Sequence, residues 1–172
     1  HRSYIDAGAD IITVNSYATT RHALNNGGMQ ENFTSWNKLA VQLAKETLDA
    51  SEPDRKILIA GSVSNFGHFD DRYTDEQLAP NFRDQAEILI ENGVDFIILE
   101  SLGAKTSTIV TALNAITAFD VPIWVAVSCA EDHESGQLFL GIEESRIHSH
   151  RPLAHQSLGD AIKTIMNTAG SA

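Results

Sequence analysis

Four short apolar runs rich in β-branched residues, each ending in a small or polar residue, constrain the fold of this chain most. The runs are Ile11–Asn15, Ile57–Ser62, Phe96–Glu100 and Ile123–Ser128. Continuous apolar runs of this length are typical of strands that are buried on both faces, and hence of a parallel sheet. Segments of helical length separate the runs, as parallel strands require. The sequence therefore predicts an α/β fold with about four parallel strands and flanking helices.

Turn and capping residues predict where the helices between these strands begin and end. Gly8 and Gly93 stand where a C′ glycine ends a helix. Thr74 and Ser157 are predicted N-caps, and Pro80 predicts a break or a new first turn soon after Thr74. In the helix after the first strand, the apolar positions expected to form a buried side are Leu39, Val41, Leu43, Ala44 and Leu48.

Length and charge limit the classes of partner. A chain of 172 residues is expected to form one domain at most. The net charge of −11, with 12 scattered Lys and Arg, argues against a nucleic acid or an anionic membrane as partner. No apolar stretch approaches the roughly 20 residues that a membrane helix needs. The single cysteine, Cys129, excludes an internal disulfide and fits a reducing, cytoplasmic location.

The strand ends carry the residues that could perform chemistry. In parallel α/β folds the functional groups lie at the carboxyl edge of the sheet. Glu100 is the best candidate, because four apolar residues precede it and a predicted helix follows. Each candidate also has a local explanation, such as a turn, a helix start or steric relief at a glycine. The candidate substrate-binding residues are Glu100, Asn15, Ser16, Gly61, Ser62 and Ser128.

Four segments resemble motifs of the homocysteine S-methyltransferase family. Ala7–Tyr17 (AGADIITVNSY) is similar to the family's AGAD-IITTNTY stretch, and Ile59–Gly67 (IAGSVSNFG) resembles AGSVGPYG. Gly93–Ser101 (GVDFIILES) resembles GVDLLLFET, and Pro122–Ser128 (PIWVAVS) resembles PVWVSFS. The four segments occur in the family's order, with plausible gaps, and are spread along most of the chain, from Ala7 to Ser128.

The resemblance implies a (β/α)8 TIM barrel that transfers a methyl group to the sulfur of homocysteine to give methionine. A closed barrel typically needs about 250 residues. We therefore expect residues 1–172 to be part of a single homocysteine-binding domain that lacks the first strand and the last strands. In the family, the glutamate that matches Glu100 helps to hold the amino group of homocysteine. The implied partners are homocysteine and a small-molecule methyl donor; betaine, S-methylmethionine and methylcobalamin all serve relatives.

The resemblance also implies zinc as the cofactor of the complete protein. Family members bind zinc through three cysteines, in a GVNC strand and a later GGCC strand, and neither motif is present in this sequence. Cys129 lacks the Gly-Val-Asn context, so it receives no metal role and is expected to be a small apolar filler or to line the pocket. No metal ligand is predicted in this chain, and the isolated segment is expected to be inactive.

Two other classes of protein stay open on the sequence alone. One is a non-catalytic, open doubly wound α/β domain that binds a small molecule or a protein at the strand ends. The other is an unrelated TIM-barrel enzyme that shares only the alternation of strands and helices. The histidines His148, His150 and His155 are expected to lie in a solvated loop, and Asp70 and Asp71 to belong to a solvated acidic face.

Overall fold

A four-stranded parallel sheet forms the centre of the protein in the computed structural model. The structure describes residues 1–66, 73–102, 105–132, 135–141 and 156–169. The strands, in chain order, are β1 (Ile11–Thr13), β2 (Leu58–Val63), β3 (Phe96–Leu99) and β4 (Ile123–Val125). Their spatial order is also β1-β2-β3-β4, and all three pairings are parallel. The four predicted strands and the α/β fold class are confirmed.

Helices connect the strands, and a small hairpin follows β4. The helices are α1 (Arg2–Asp6), α2 (Arg21–Asn26), α3 (Phe33–Asp49), α4 (Asp75–Glu91), α5 (Thr106–Ile116) and α6 (Leu158–Ala169). A 3-10 turn, Gln30–Asn32, precedes α3. The antiparallel hairpin consists of β5 (Cys129–Glu131) and β6 (Leu138–Leu140). The sequence did not predict α2, because this segment is rich in polar loop residues, and it did not predict the hairpin. Among the described residues, no helix is long and apolar enough to cross a membrane.

One face of the sheet packs against the helices and forms the core. Alternate strand residues point to this first face because side chains alternate along a strand. With apolar side chains of α3, α4 and α5 they form one buried cluster. The strand residues of the first face are Ile12, Val14, Ile59, Val63, Ile97 and Leu99.

The opposite, second face of the sheet carries Thr13, Ala60, Ser62, Phe96, Ile98 and Trp124. The ring of Trp124 is 52% exposed and lies against Phe96, with 4.7 Å between the ring centroids. The prediction that all four strands are buried on both faces is therefore wrong for the two outer strands. Trp124 on β4 and Thr13 on β1 are both exposed. The reason is that β1 and β4 each pair with only one neighbour among the described strands.

The strand order bears on the choice between a doubly wound sheet and a barrel. A doubly wound sheet reverses its strand order and carries helices on both faces. The four described strands follow chain order without a reversal, and the buried side chains of α3, α4 and α5 join the cluster on the first face. This arrangement is typical of consecutive βα units in a barrel wall.

Capping interactions define helix ends as the sequence predicted. Thr74 and Gln77 form a reciprocal capping box at the start of α4, and the Ser157 hydroxyl accepts from the Asp160 amide at 3.1 Å at the start of α6. The same hydroxyl donates to the Asp160 carboxylate and, with Lys163, lowers the pKa of Asp160. Gly93, with φ of 100°, follows the last turn of α4.

Two expectations about the helices were wrong. Pro80 lies inside α4 without breaking it, because a proline in the second turn removes only one intrahelical hydrogen bond. In α3, Leu39 and Leu43 are 47% and 49% exposed. The buried side of α3 instead includes a polar residue, and it consists of Phe33, Asn37, Ala40, Val41 and Ala44.

Gly61 lies where α4 packs closely on the first face of the sheet. A Cβ atom at this position would lie 2.9 Å from Ile97 Cδ1 and 3.2 Å from Leu89 Cδ1. Both neighbouring side chains are fully buried and cannot move into solvent. The close packing of β2 against α4 and β3 is sufficient reason for glycine here.

We expect Gly61→Ala to reduce the free energy of unfolding by about 1–3 kcal/mol through overpacking. Adding Ile97→Val removes the colliding methyl group, so the double variant should lose less than the sum of the two single variants. Thermal unfolding of the purified variants measures this. Gly159→Ala is the control, since its Cβ would meet no atom within 4 Å, and it should not lower stability. Additive losses would contradict the steric explanation.

Candidate active site

Glu100 lies immediately after β3 and pairs with a serine of β2. Its backbone amide donates to the Val63 carbonyl at 2.9 Å, which extends the β2–β3 pairing by one residue. The Ser62 hydroxyl donates to Glu100 Oε2 at 2.6 Å. Hydrogen bonds to an ionised acceptor are shorter and stronger than neutral ones. Two of the predicted site residues, Glu100 and Ser62, are therefore in direct contact.

Ser16 joins the same group from the end of β1. Its hydroxyl donates to the Ser62 carbonyl at 2.6 Å, and both serine side chains are fully buried. A buried polar group must be hydrogen-bonded to offset the loss of water. The ends of three neighbouring strands are thus linked through Ser16, Ser62 and Glu100.

Two buried amide side chains from the helices support Ser16. Gln85 of α4 donates to the Ser16 carbonyl at 2.9 Å and to Asn37 Oδ1 at 3.1 Å. Asn37 of α3 donates to the carbonyls of Thr19 and Phe33 at 2.9 and 2.7 Å. Gln85 is 1% exposed and Asn37 is fully buried. A buried polar network therefore connects two helices to the loop after β1.

The backbone turns sharply after Glu100. Ser101 has φ of 56°, a left-handed conformation that is costly for a residue with a Cβ. The next amide, that of the fully buried Leu102, donates to the Ala126 carbonyl at 3.2 Å, so the turn is held against the segment after β4. Glu100 is therefore fixed by its own amide, by its carboxylate and by the turn that follows.

The other predicted residues occupy different surroundings. Asn15 is exposed beyond the end of β1, and Ser128 is partly buried beyond the end of β4. The Ser128 carbonyl accepts from the Gly141 amide at 2.9 Å, which ties the strand end to the hairpin. Gly61 belongs to the helix-covered first face, as described above. The structure thus brings together Glu100, Ser62 and Ser16, and it does not bring Gly61 to the same group.

The residues present do not fit a zinc site built from thiolates. Cys129, the only cysteine of the sequence, is exposed on β5. Within the described ranges, no group of three or more His, Cys, Asp or Glu side chains could hold a metal ion. His148, His150 and His155 lie outside the described residues, as do Asp70 and Asp71. No metal ligand is assigned among the described residues.

Sequence reasoning missed Asn37 and Gln85, although a signal was present. Asn37 lies four residues from both Phe33 and Val41, on the apolar side of α3. Gln85 is placed similarly in α4, between the buried Phe82 and Leu89. A polar residue at an apolar-face position of a helix indicates a buried hydrogen-bonding partner, and here both partners lie at the candidate site.

The sequence of this chain matches a known protein family over most of its length. Residues 1–156 match the sequence model of the family described as Homocysteine S-methyltransferase. The match covers most of the sequence, and the chain belongs to this family. The predicted family is confirmed.

Named relatives agree with this assignment. Homocysteine S-methyltransferase 1 of Arabidopsis thaliana is 24% identical over 163 residues, a match covering 81% of this chain and 50% of the relative. Betaine–homocysteine S-methyltransferase 1 of Danio rerio is 29% identical over 102 residues, covering 58% of this chain and 24% of the relative. The chain thus matches half or less of the length of these two relatives.

Solved structures share the fold. The metallated form of the homocysteine methyltransferase MmuM from Escherichia coli superimposes with a TM-score of 0.75 at 21% identity, covering 98% of this chain and 57% of MmuM. The apo form of MmuM gives a TM-score of 0.65 at 20% identity, with coverage of 98% and 56%. The arrangement of strands and helices described above is therefore one found in a homocysteine methyltransferase.

We expect Gln85→Met to lower the free energy of unfolding by about 1–3 kcal/mol, because it leaves buried acceptors of Ser16 and Asn37 with fewer donors. The matched control is Gln42→Met, which removes an exposed hydrogen bond to Glu46 and should change stability by less than about 0.5 kcal/mol. Thermal unfolding of both variants compares them. Equal effects would show that the buried network does not stabilise the strand ends.

Proposed function

We propose that this chain forms part of a homocysteine S-methyltransferase and binds the amino-acid end of homocysteine. The observation that carries the proposal is the Glu100 carboxylate, held at the carboxyl edge of the sheet by Ser62 at 2.6 Å. A carboxylate there pairs with the substrate ammonium through charge-assisted hydrogen bonds and fixes where the sulfur points. The family membership of the chain supports the same substrate.

We further propose that the four strands are consecutive strands of a (β/α)8 barrel. The unreversed strand order and the helices packed on the first face support this architecture. In a barrel the second face of the sheet becomes the interior. The carboxyl ends of the strands then surround one site, which places Glu100, Asn15 and Ser128 around a common opening. Residues 1–172 would accordingly be one part of a single homocysteine-binding domain.

The proposed site residues divide by how they reach the substrate. Glu100 is proposed to contact the ammonium, and Asn15 and Ser128 are proposed to line the pocket. Ser16 and Ser62 are fully buried and their hydroxyls donate to protein oxygens, so their proposed contribution to binding is indirect. Gly61 is excluded from the proposed contacts because its packing against Ile97 and Leu89 explains it.

Methyl transfer requires a thiolate, and this chain does not supply the group that would generate one. A free thiol has a pKa of about 8.5, and only the thiolate is a good nucleophile. Zinc bound by cysteine thiolates would hold the substrate sulfur as thiolate in the complete protein. Since Cys129 is the only cysteine here, we place the zinc ligands outside this chain. The isolated segment is expected to bind the substrate weakly and not to methylate it.

The reaction itself joins the substrate sulfur to a methyl group from a small-molecule donor. The sulfur–carbon bond forms as the bond between the methyl carbon and the donor breaks, and the thiol proton is released, giving methionine. The name of the Danio rerio relative includes betaine, so betaine is one donor to test, and S-methylmethionine is another. The lone cysteine and the thiol substrate support a reducing, cytoplasmic compartment as the proposed location.

The test replaces Glu100 with Gln in the complete protein that contains this segment. Glu100→Gln removes the charge while keeping the size, and we expect the KM for homocysteine to rise by about ten- to a hundredfold, corresponding to a charge-assisted hydrogen bond. Glu87→Gln, the same change on the exposed side of α4, is the matched control and should leave KM unchanged. Initial rates with betaine and with S-methylmethionine give the measurement.

Three results would contradict the proposal in different ways. An unchanged KM in Glu100→Gln would remove Glu100 from the substrate site. Absence of homocysteine methylation by the unmodified complete protein with every donor would overturn the reaction. Independent, cooperative unfolding of the 172-residue chain, with ligand binding but no metal requirement, would favour a non-catalytic binding domain instead.

A further inference from the structure

We propose that Ser62 is a positioning residue whose hydroxyl fixes the orientation of the Glu100 carboxylate for the substrate. This inference rests on the proposed function, in which Glu100 receives an ammonium group. It goes further by assigning to Ser62 an indirect role, exerted through Glu100. It also assigns to Ser16 and Gln85 the task of holding Ser62 in place.

The chemistry of the pair determines which group donates. An ionised carboxylate only accepts hydrogen bonds, so the proton between Ser62 Oγ and Glu100 Oε2 belongs to the serine. The 2.6 Å distance is that of a strong hydrogen bond to a charged acceptor. Ser62 is fully buried, so water does not compete for its hydroxyl. The carboxylate is therefore held by a donor with one fixed direction.

The part of the chain that the structure describes contributes no second side-chain donor to the Glu100 carboxylate. Oε2 accepts from Ser62, which leaves Oε1 and the remaining lone pair of Oε2 to receive a ligand. Without the hydroxyl, rotation about the side-chain bonds of Glu100 would move both oxygens. Binding would then have to fix the side chain at an entropic cost.

The position of Ser62 is in turn fixed by hydrogen bonds that involve Ser16 and Gln85. Its carbonyl accepts the Ser16 hydroxyl at 2.6 Å, and the Ser16 carbonyl accepts the Gln85 amide at 2.9 Å. All three side chains are 1% exposed or less. These hydrogen bonds connect the sheet to α4 and keep Ser62 from shifting along the sheet. The orientation of the Glu100 carboxylate therefore depends on buried residues of the core.

The turn after Glu100 supports the same conclusion from the other side. Ser101 adopts φ of 56°, and strained backbone of this kind persists only where surrounding contacts impose it. Here the contact is the Leu102 amide on the Ala126 carbonyl. The backbone and the carboxylate of Glu100 are thus fixed independently of each other, as expected for a group that must meet a ligand in one geometry.

The experiment compares Ser62→Ala with Ser64→Ala in the complete methyltransferase. Ser64 is the matched control because it is also a buried serine at the end of β2, but its hydroxyl donates to the Tyr17 carbonyl at 2.6 Å. We expect Ser62→Ala to raise the KM for homocysteine by about five- to tenfold and to change kcat by less than about twofold. Ser64→Ala should lower the melting temperature comparably and leave KM unchanged.

Two further variants separate positioning from a general loss of structure. In the Glu100→Gln background, Ser62→Ala should add less than about twofold to KM, since there is no charged carboxylate left to orient. Ser62→Cys keeps a side chain of similar size with a weaker donor, and its KM should lie between those of the unmodified protein and Ser62→Ala. It also serves as the test if Ser62→Ala does not fold.

The outcomes distinguish this inference from the proposed function. An unchanged KM in Ser62→Ala, an effect shared equally by Ser64→Ala, or an undiminished effect in the Glu100→Gln background overturns the positioning role. If the unmodified complete protein does not methylate homocysteine, the proposed function fails. The crystal structure of Ser62→Ala then decides the positioning role alone. A displaced or multiply oriented Glu100 carboxylate supports it, and an unchanged carboxylate overturns it.

Discussion

The hydrogen bond from Ser62 to Glu100 is the interaction on which the candidate site depends. Glu100 follows four apolar strand residues and is partly buried, so its carboxylate needs a hydrogen-bond donor, and the neighbouring strand provides one at 2.6 Å. That donor is itself held by Ser16, and Ser16 by Gln85. The orientation of this partly buried carboxylate is therefore determined by residues that lie in the core.

Packing on the first face and chemistry at the strand ends impose separate requirements on the same strand. In β2, Gly61 must lack a side chain so that Leu89 and Ile97 can approach, whereas Ser62, one residue later, must present a hydroxyl to Glu100. Since successive side chains point to opposite faces, the two requirements do not conflict. This alternation explains how Gly61 and Ser62 can be neighbours in β2, one serving the packing of the first face and the other the orientation of Glu100.

The sequence predicted the strands, their parallel arrangement and most helix ends because each depends on local signals, such as β-branched runs, Thr74 and Gly93. It also identified Glu100, Ser62 and Ser16 as candidates from their places at strand ends. It did not predict that Ser62 contacts Glu100, since that contact depends on the register between β2 and β3. Asn37 and Gln85 were missed for a similar reason, because their partners lie 18 and 69 residues away in sequence. The exposure of Leu39 and Leu43 also depends on which neighbours α3 has in three dimensions.

In the proposed enzyme, different parts of the polypeptide perform different parts of the chemistry. In the proposed reaction, orienting the amino acid and activating its sulfur are separate tasks, because the ammonium and the thiol lie at opposite ends of homocysteine. A carboxylate set in a hydrogen-bonded strand end suits the first task, whereas the second needs a set of thiolates that a chain with one cysteine does not contain. In a barrel, strands distant in sequence share one opening. The rigid orientation of Glu100 then matters for the sulfur as well, since fixing the ammonium determines how far the thiol reaches across that opening.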